Sequence, residues 1–225
     1  MASHQKEQLQ TLAWQTARSG MVEQQLANRG VDNPRVLAAM AEVPRHRFVP
    51  DDLQAEAYRD HPLPIGYDQT ISQPYIVALM AELLDPKGNE RVLEIGTGSG
   101  YHAAVLSRVV EEVYSIEIVE ELGVRASRVL AELGYDNIHS RIGDGYRGWQ
   151  EAAPFDAIIL TAAPARVPEP LVAQLRLGGR LVLPLGETSQ DLQVLTKTES
   201  GLERQVIAPV RFVPMTGEIL EGAGG

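Results

Sequence analysis

From Arg91 onward the chain alternates short apolar runs with helical stretches. A glycine cluster follows the first run, and two further apolar runs close the sequence with no helix between them. These three observations predict an α/β fold. Alternation at this spacing requires right-handed crossovers and a largely parallel sheet covered on both faces, while the closing pair adds an antiparallel edge. The expected class is a Rossmann-like, doubly wound, mostly parallel seven-strand sheet, with an added helical and loop-like N-terminal region.

The elements follow in chain order. Residues 1–20 contain Glu7 and scattered apolar side chains, so they read as an extension rather than a signal segment. Met21–Asn28 has helical spacing and stops at Arg29-Gly30, a C-terminal signal. Asn33-Pro34 places an N-cap before a first-turn proline and opens a helix over Val36–Ala41, which Val43-Pro44 ends. Between Arg45 and Tyr67, Pro50, Pro62, Pro64 and Gly66 argue against regular structure of any length, and Phe48, Tyr58 and Tyr67 make the segment a packed cover. An apolar helix follows Pro74, carried by Ile76, Val77, Met80, Leu83 and Leu84.

The sheet begins with a strand over Val92–Ile95, then a helix over Tyr101–Val110 and a strand over Val113–Ile118. A helix over Val119–Leu133 stops at Gly134, and strands follow over Ile138–Ile142 and Asp156–Leu160. Pro168–Leu177 reads as a helix closed by Gly178-Gly179, ahead of a strand over Arg180–Leu185. Leu192–Thr198 and Gln205–Phe212 are the last strands, joined near Glu199-Ser200-Gly201. The organisation is thus an extension at 1–20, one domain at 21–217 with a covering segment at 21–90 and a core at 91–217, and a tail at 218–225. Its glycine-rich end, Gly222–Gly225, is expected to be disordered.

Composition narrows the function. With 20 basic and 30 acidic side chains the net charge is −10, which repels phosphate backbones and anionic membranes. No nucleic-acid or membrane partner is expected. The absence of cysteine excludes disulfide scaffolds, thiolate metal sites and thiol nucleophiles, and no metal site is expected. No run approaches the roughly 20 apolar residues that span a bilayer, so a cytoplasmic protein is the plain expectation.

The most informative stretch is Glu94-Ile95-Gly96-Thr97-Gly98-Ser99-Gly100-Tyr101, set between a strand and its helix. Ligands bind open α/β sheets at the carboxyl ends of strands, where glycines admit a close approach. Tyr101 stands where a dinucleotide loop needs its third glycine, and no Lys-Ser/Thr pair follows as in a phosphate loop. Glu94 before the glycines suits a cofactor with a positive head group. Glu117, at the end of the next strand, can accept both hydroxyls of a ribose, and Asp144 in Gly143-Asp144-Gly145 can accept from an adenine amino group. Singly, each acid reads as well as a solvated side chain or a turn residue. Three at successive strand ends favour an adenosine-type ligand.

A second feature is Asp68-Gln69-Thr70-Ile71-Ser72-Gln73-Pro74. Pro74 favours the first helical position and makes Gln73 the cap, which leaves the Ser72 hydroxyl one residue outside the helix. The competing reading is that Ser72 itself caps.

The loop Glu94–Tyr101 is similar to the first cofactor motif of S-adenosylmethionine-dependent methyltransferases. Gln69-Thr70-Ile71-Ser72-Gln73-Pro74 resembles the signature of protein-L-isoaspartate O-methyltransferases, and so do Val43-Pro44-Arg45, Leu63-Pro64-Ile65-Gly66, Leu177-Gly178-Gly179 and Phe212-Val213-Pro214-Met215-Thr216-Gly217. The matching pieces run in order from about Met21 to Gly217. The resemblance implies a repair enzyme that moves a methyl group from S-adenosyl-L-methionine to the α-carboxylate of L-isoaspartyl residues in damaged proteins and peptides, leaving S-adenosyl-L-homocysteine. It makes Ser72 the catalytic hydroxyl at the substrate carboxylate. Gly96, Gly98, Gly100, Glu117, Ile118, Gly143 and Asp144 would hold the cofactor with Glu94; Gln69, Thr70 and Thr216 would close over it, and Val213 would meet the substrate backbone. None of the five histidines is expected to be catalytic, although His102 can line the cofactor pocket. The alternatives are a small-molecule methyltransferase and a non-catalytic S-adenosylmethionine-binding module. Oligomeric state is not legible, with a monomer as the default.

Overall fold

The structure is a computed structural model that describes residues 2–223. Met1, Gly224 and Gly225 lie outside the described residues, and with them part of the tail expected to be disordered.

Helix α1 (Ala2–Gly20) runs directly into a wider π-type turn, Met21–Leu26, and a short 3-10 turn, Ala27–Arg29. Gly20 keeps helical angles (φ −62°, ψ −39°), so the backbone has no break at residue 20. Helix-favouring Gln, Glu, Lys, Leu and Ala carry α1 without an apolar stripe, which is why periodicity did not signal it. Its second half is anchored where Trp14 stacks on His46 at 4.7 Å and Arg18 donates to the Glu42 carbonyl. Gly30 stops the turn at φ 95° as expected. Helix α2 (Pro34–Glu42) opens on Asn33, whose Oδ1 accepts from the amides of Arg35 and Val36.

The covering segment holds more structure than its prolines suggest. Strands β1 (Leu63–Gly66) and β2 (Gln69–Ile71) form a small hairpin in which Leu63 and Ile65 point inward and Pro64 outward. A two-stranded ribbon tolerates Pro64 because half of each strand's hydrogen-bonding positions are unused. Helix α3 (Pro74–Leu83) follows, with Gln73 in the N-cap position and Ser72 outside it.

The main sheet has seven strands: β3 (Arg91–Ile95), β4 (Glu112–Glu117), β5 (Ile138–Ile142), β6 (Phe155–Leu160), β7 (Leu175–Leu185), β8 (Gln190–Thr198) and β9 (Gly201–Val210). Their spatial order is β5-β4-β3-β6-β7-β8-β9. The first five pair in parallel, and β8 is antiparallel to both β7 and β9. Helices α4 (Tyr101–Leu106), α5 (Glu120–Glu132) and α6 (Glu169–Gln174) complete the crossovers. Parallel strands buried on both faces need continuous apolar runs, as in β6, where Ala157, Ile158, Ile159 and Leu160 are all buried. Two apolar clusters result, one per face, with Val92 and Ile159 in one and Leu93 and Ile158 in the other.

One boundary differs from the expected one. Gly178-Gly179 does not close a helix: α6 ends at Gln174, and both glycines lie inside β7. The pairing of β6 with β7 shifts between Phe155 and Ala157, and a Cβ on Gly179 would sit 2.8 Å from the Asp156 carbonyl oxygen. The glycines therefore serve an irregularity where two backbones come close, a signal that mimics a helix stop.

Strand β3 sits between β4 and β6, so successive connections leave it in opposite directions. This switch point opens a crevice at the carboxyl ends of β3, β4 and β6.

Candidate active site

The crevice is an open cleft lined by the glycine loop, the end of β4, the β2 segment and residues 213–216. Its floor is the glycine loop. Gly96 has φ +98°, and a side chain there would overlap the Thr161 hydroxyl, which donates to the Gly96 carbonyl at 2.6 Å. Gly98 also has positive φ, +55°. Backbone geometry and close packing thus both require glycine at 96, and the bare backbone is left facing the cleft.

Glu117 forms one wall at the end of β4. Its Oε2 accepts from the Gly98 amide at 2.7 Å and its Oε1 from the Val119 amide at 2.9 Å. Ile118, 42% exposed, adds an apolar surface beside it. Gln69, Thr70 and Ser72 line the opposite wall from β2 and the turn before α3. Val213 and Thr216 close the third side. Two backbone bonds to Ala163, from its amide to the Val213 carbonyl and to its carbonyl from the Met215 amide, both 2.8 Å, pin that segment beside β6. Gln190 adds to the pinning by bonding both the amide and the carbonyl of Phe212.

Nine of the expected site residues therefore meet around one cleft: Gln69, Thr70, Ser72, Gly96, Gly98, Glu117, Ile118, Val213 and Thr216. Four do not line it. Gly100 caps α4 and packs on Ala126 and Leu130 of α5, so its bare Cα serves helix packing. Gly143 donates its amide to the Glu117 carbonyl at 2.8 Å. Asp144 caps a short 3-10 turn through the Tyr146 amide and also accepts from the Glu218 amide at 2.7 Å. Its carboxylate ties the C-terminal segment down, and its neighbour Gly145 lines the cleft.

Glu94 is the clearest correction. It was expected at the mouth, facing a positive head group, yet its side chain is fully buried in β3. Its Oε2 accepts from Ser115 Oγ at 2.5 Å, and Ser115 Oγ in turn lies 2.6 Å from Thr97 Oγ1. Oε1 has no partner and sits 3.8 Å from His102 Nδ1. Burial pushes the Glu94 carboxyl up to about 8, against the pull of the Ser115 hydrogen bond, and pushes His102 down to about 4. Glu94 is the last residue but one of β3, and the pleat sends its side chain into a buried layer beneath the loop.

Reasoning from the sequence overlooked Thr161 and Ala162, which follow β6 and line the cleft. The rule that placed Glu117 applies equally to the end of Asp156–Leu160, and no charged residue marked it there. Among the described residues no cluster of three or more His, Cys, Asp or Glu could hold a metal ion, and no helix is long and apolar enough to cross a membrane.

The family model described as protein-L-isoaspartate(D-aspartate) O-methyltransferase matches residues 16–220. The chain belongs to this family. Protein-L-isoaspartate O-methyltransferase 2 of Shewanella sediminis (strain HAW-EB3) is 59% identical over 210 residues, which cover 92% of this chain and 86% of the relative. A solved protein-L-isoaspartate O-methyltransferase superposes with a TM-score of 0.82 at 32% identity, covering 90% of this chain and 67% of the other. A second, from Plasmodium falciparum and in complex with S-adenosyl-L-homocysteine, gives 0.76 at 26% identity, over 88% of this chain and 98% of its own. The protein-L-isoaspartate O-methyltransferase assignment makes the chain a methyl-transferring enzyme of protein repair and sets aside both the small-molecule methyltransferase and the non-catalytic module.

Proposed function

We propose that this protein-L-isoaspartate O-methyltransferase carries out its reaction at the Ser72 wall of the cleft, with S-adenosyl-L-methionine held by the glycine loop and Glu117. The single observation that carries this reading is the meeting of Ser72, Gly96, Gly98 and Glu117 around one cleft although they are spread over three segments of the chain.

The residues present fit the cofactor. The bare, half-buried backbone at Gly96 and Gly98 would admit close approach, Glu117 would offer its carboxylate oxygens to ribose hydroxyls, and Ile118 offers an apolar face. When bound, S-adenosyl-L-methionine supplies an electrophilic methyl group on a sulfonium. The protein then has three tasks. Ser72 donates its hydroxyl to one oxygen of the substrate α-carboxylate and orients the other for attack. Val213 meets the substrate backbone, while Gln69, Thr70 and Thr216 limit water at the cleft mouth. No general base is needed, because an α-carboxylate with a pKa of roughly 3.5 is ionised at neutral pH. The products are S-adenosyl-L-homocysteine and the methyl ester, which collapses to a succinimide as the following backbone nitrogen attacks the ester carbonyl and methanol leaves.

The need for S-adenosyl-L-methionine, an intracellular cofactor, supports a cytoplasmic location. Paired peptides that differ only in isoaspartate or aspartate at one position test the reading with methyl-labelled cofactor. Label should enter the isoaspartyl peptide alone, and equal labelling of both peptides would overturn the substrate assignment.

A further inference from the structure

The substrate is an anion, yet the protein carries a net charge of −10. Something near Ser72 must offset that field. Among the described residues, one Lys or Arg side chain is buried in the interior, and it lies beside Ser72. Arg45 is fully buried, with 0% of its surface exposed. Its Nη2 donates to the Ser72 carbonyl at 2.7 Å, and its Nε to the Ala57 carbonyl at 2.7 Å. Its Nη1 has no hydrogen-bond partner. The guanidinium lies 4.8 Å from the ring centroid of Tyr101, itself a lining residue of the cleft.

We infer that Arg45 is a positioning residue for the transfer step, fixing Ser72 through its carbonyl and lending the substrate end of the cleft a positive field that draws in the isoaspartyl carboxylate. The inference rests on Ser72 being the active-site hydroxyl.

Three observations support it. A buried guanidinium is costly unless paired, and the partners of Arg45 are neutral carbonyls rather than a carboxylate. Asp60 acts on it at longer range, and the Asp60 carboxylate is already engaged by Arg29 and by the Tyr75 amide. Burial lowers the Arg45 pKa to about 10, which leaves it charged at neutral pH. The positive charge is therefore largely uncompensated.

The placement also suits the chemistry. The reactants are a carboxylate and a sulfonium, and their charges cancel as the methyl group moves. A cation in direct contact with the carboxylate would stabilise the reactant more than the transition state and slow transfer. Set behind the Ser72 carbonyl, Arg45 attracts the carboxylate without occupying the lone pair that attacks. The field should therefore appear in KM and not in kcat.

The test compares Arg45→Gln, which can still hydrogen-bond but has no charge, with Arg45→Lys, which keeps the charge. For Arg45→Gln the KM for an isoaspartyl peptide should rise on the order of tenfold, the effect of a unit charge at ~8–10 Å and an effective dielectric of about 20. Its S-adenosyl-L-homocysteine affinity by calorimetry should stay within about twofold. Arg45→Lys should restore most of the KM while lowering kcat, since one ammonium cannot hold both carbonyls in the planar fork. Equal KM increases in the two variants, an unchanged KM in folded Arg45→Gln, or a parallel loss of cofactor affinity would overturn the proposal. If Arg45→Gln does not fold, Arg45→Lys against wild type decides. A retained KM with lower kcat supports the field, and a raised KM with unchanged kcat defeats it. Ser72→Ala run alongside separates the two readings: an undiminished kcat there removes the role of Ser72, whatever Arg45 shows.

Discussion

The carboxylate of Glu117 accepts the amide of Gly98 at 2.7 Å, and so joins the end of β4 to the glycine loop that follows β3. The residue proposed to hold the cofactor thus also shapes the glycine loop beneath the cleft. The two roles can be separated. Glu117→Ala removes the acceptor for both the loop and a ribose and should weaken S-adenosyl-L-homocysteine binding about a hundredfold, whereas Glu117→Gln keeps one acceptor oxygen and should weaken it about tenfold. Calorimetry on the two variants checks this, and identical losses would show that loop support contributes nothing.

Ser72 stands one residue outside α3, so its hydroxyl is free of the capping role that Ser residues often take. Ser72→Ala should lower kcat about 10- to 100-fold, the value of a hydrogen bond to a charged group, while thermal stability and S-adenosyl-L-homocysteine affinity stay close to wild type. Loss of stability without loss of rate would return Ser72 to a structural role.

Gly96 is fixed by both φ +98° and the Thr161 hydroxyl. Gly96→Ala must push the loop away from β6, and cofactor affinity should fall at least tenfold. A double variant with Thr161→Ala relieves the steric overlap but not the backbone strain, so it should recover only part of the loss. Full recovery would place the whole cost in the contact.

Asp144 joins the loop after β5 to the segment that carries Val213 and Thr216, through its bond to the Glu218 amide. Asp144→Ala should release that segment and raise the peptide KM several-fold, with a smaller effect on cofactor affinity. Steady-state kinetics against both substrates checks it. A loss confined to cofactor binding would restore the adenine role first expected for this acid.

Glu94 gives a pH signature. Its carboxyl titrates near 8 in the folded protein against 4.5 for the free group, so the native state keeps a proton that the unfolded chain releases. Stability of the cofactor-free protein should therefore fall as pH rises from about 4.5 to 8. His102, lowered to about 4 from 6.5, acts oppositely and loses its contribution as pH falls through that window. Melting temperatures of Glu94→Gln should show a flatter decline between pH 6.5 and 8 than wild type. An unchanged slope would mean that Glu94 is already ionised.

Much of this protein was legible from residue order alone. The strand–helix alternation after Arg91, the Asn33-Pro34 helix start and the Gly96–Gly100 turn are local signals, set by side-chain period and backbone freedom within a few residues. Pro74 likewise placed Ser72 outside its helix. Local signals failed where two distant backbones set the geometry. Gly178-Gly179 read as a helix stop because the close approach of β6 and β7 is not written near them, and β1–β2 was hidden because its strands are three and four residues long, pair only with each other and bury Leu63, Ile65 and Ile71 against distant parts of the chain.

The family motifs and the class of sheet were therefore determined by the sequence itself, since period, turn chemistry and glycine placement act over short range. The direction in which a side chain points was decided by the tertiary structure. Glu94 and Glu117 both stand at strand ends, yet the pleat buries one beneath the loop and turns the other toward it. Arg45 lies 27 residues from Ser72 in the chain, and only packing brings its guanidinium to that carbonyl.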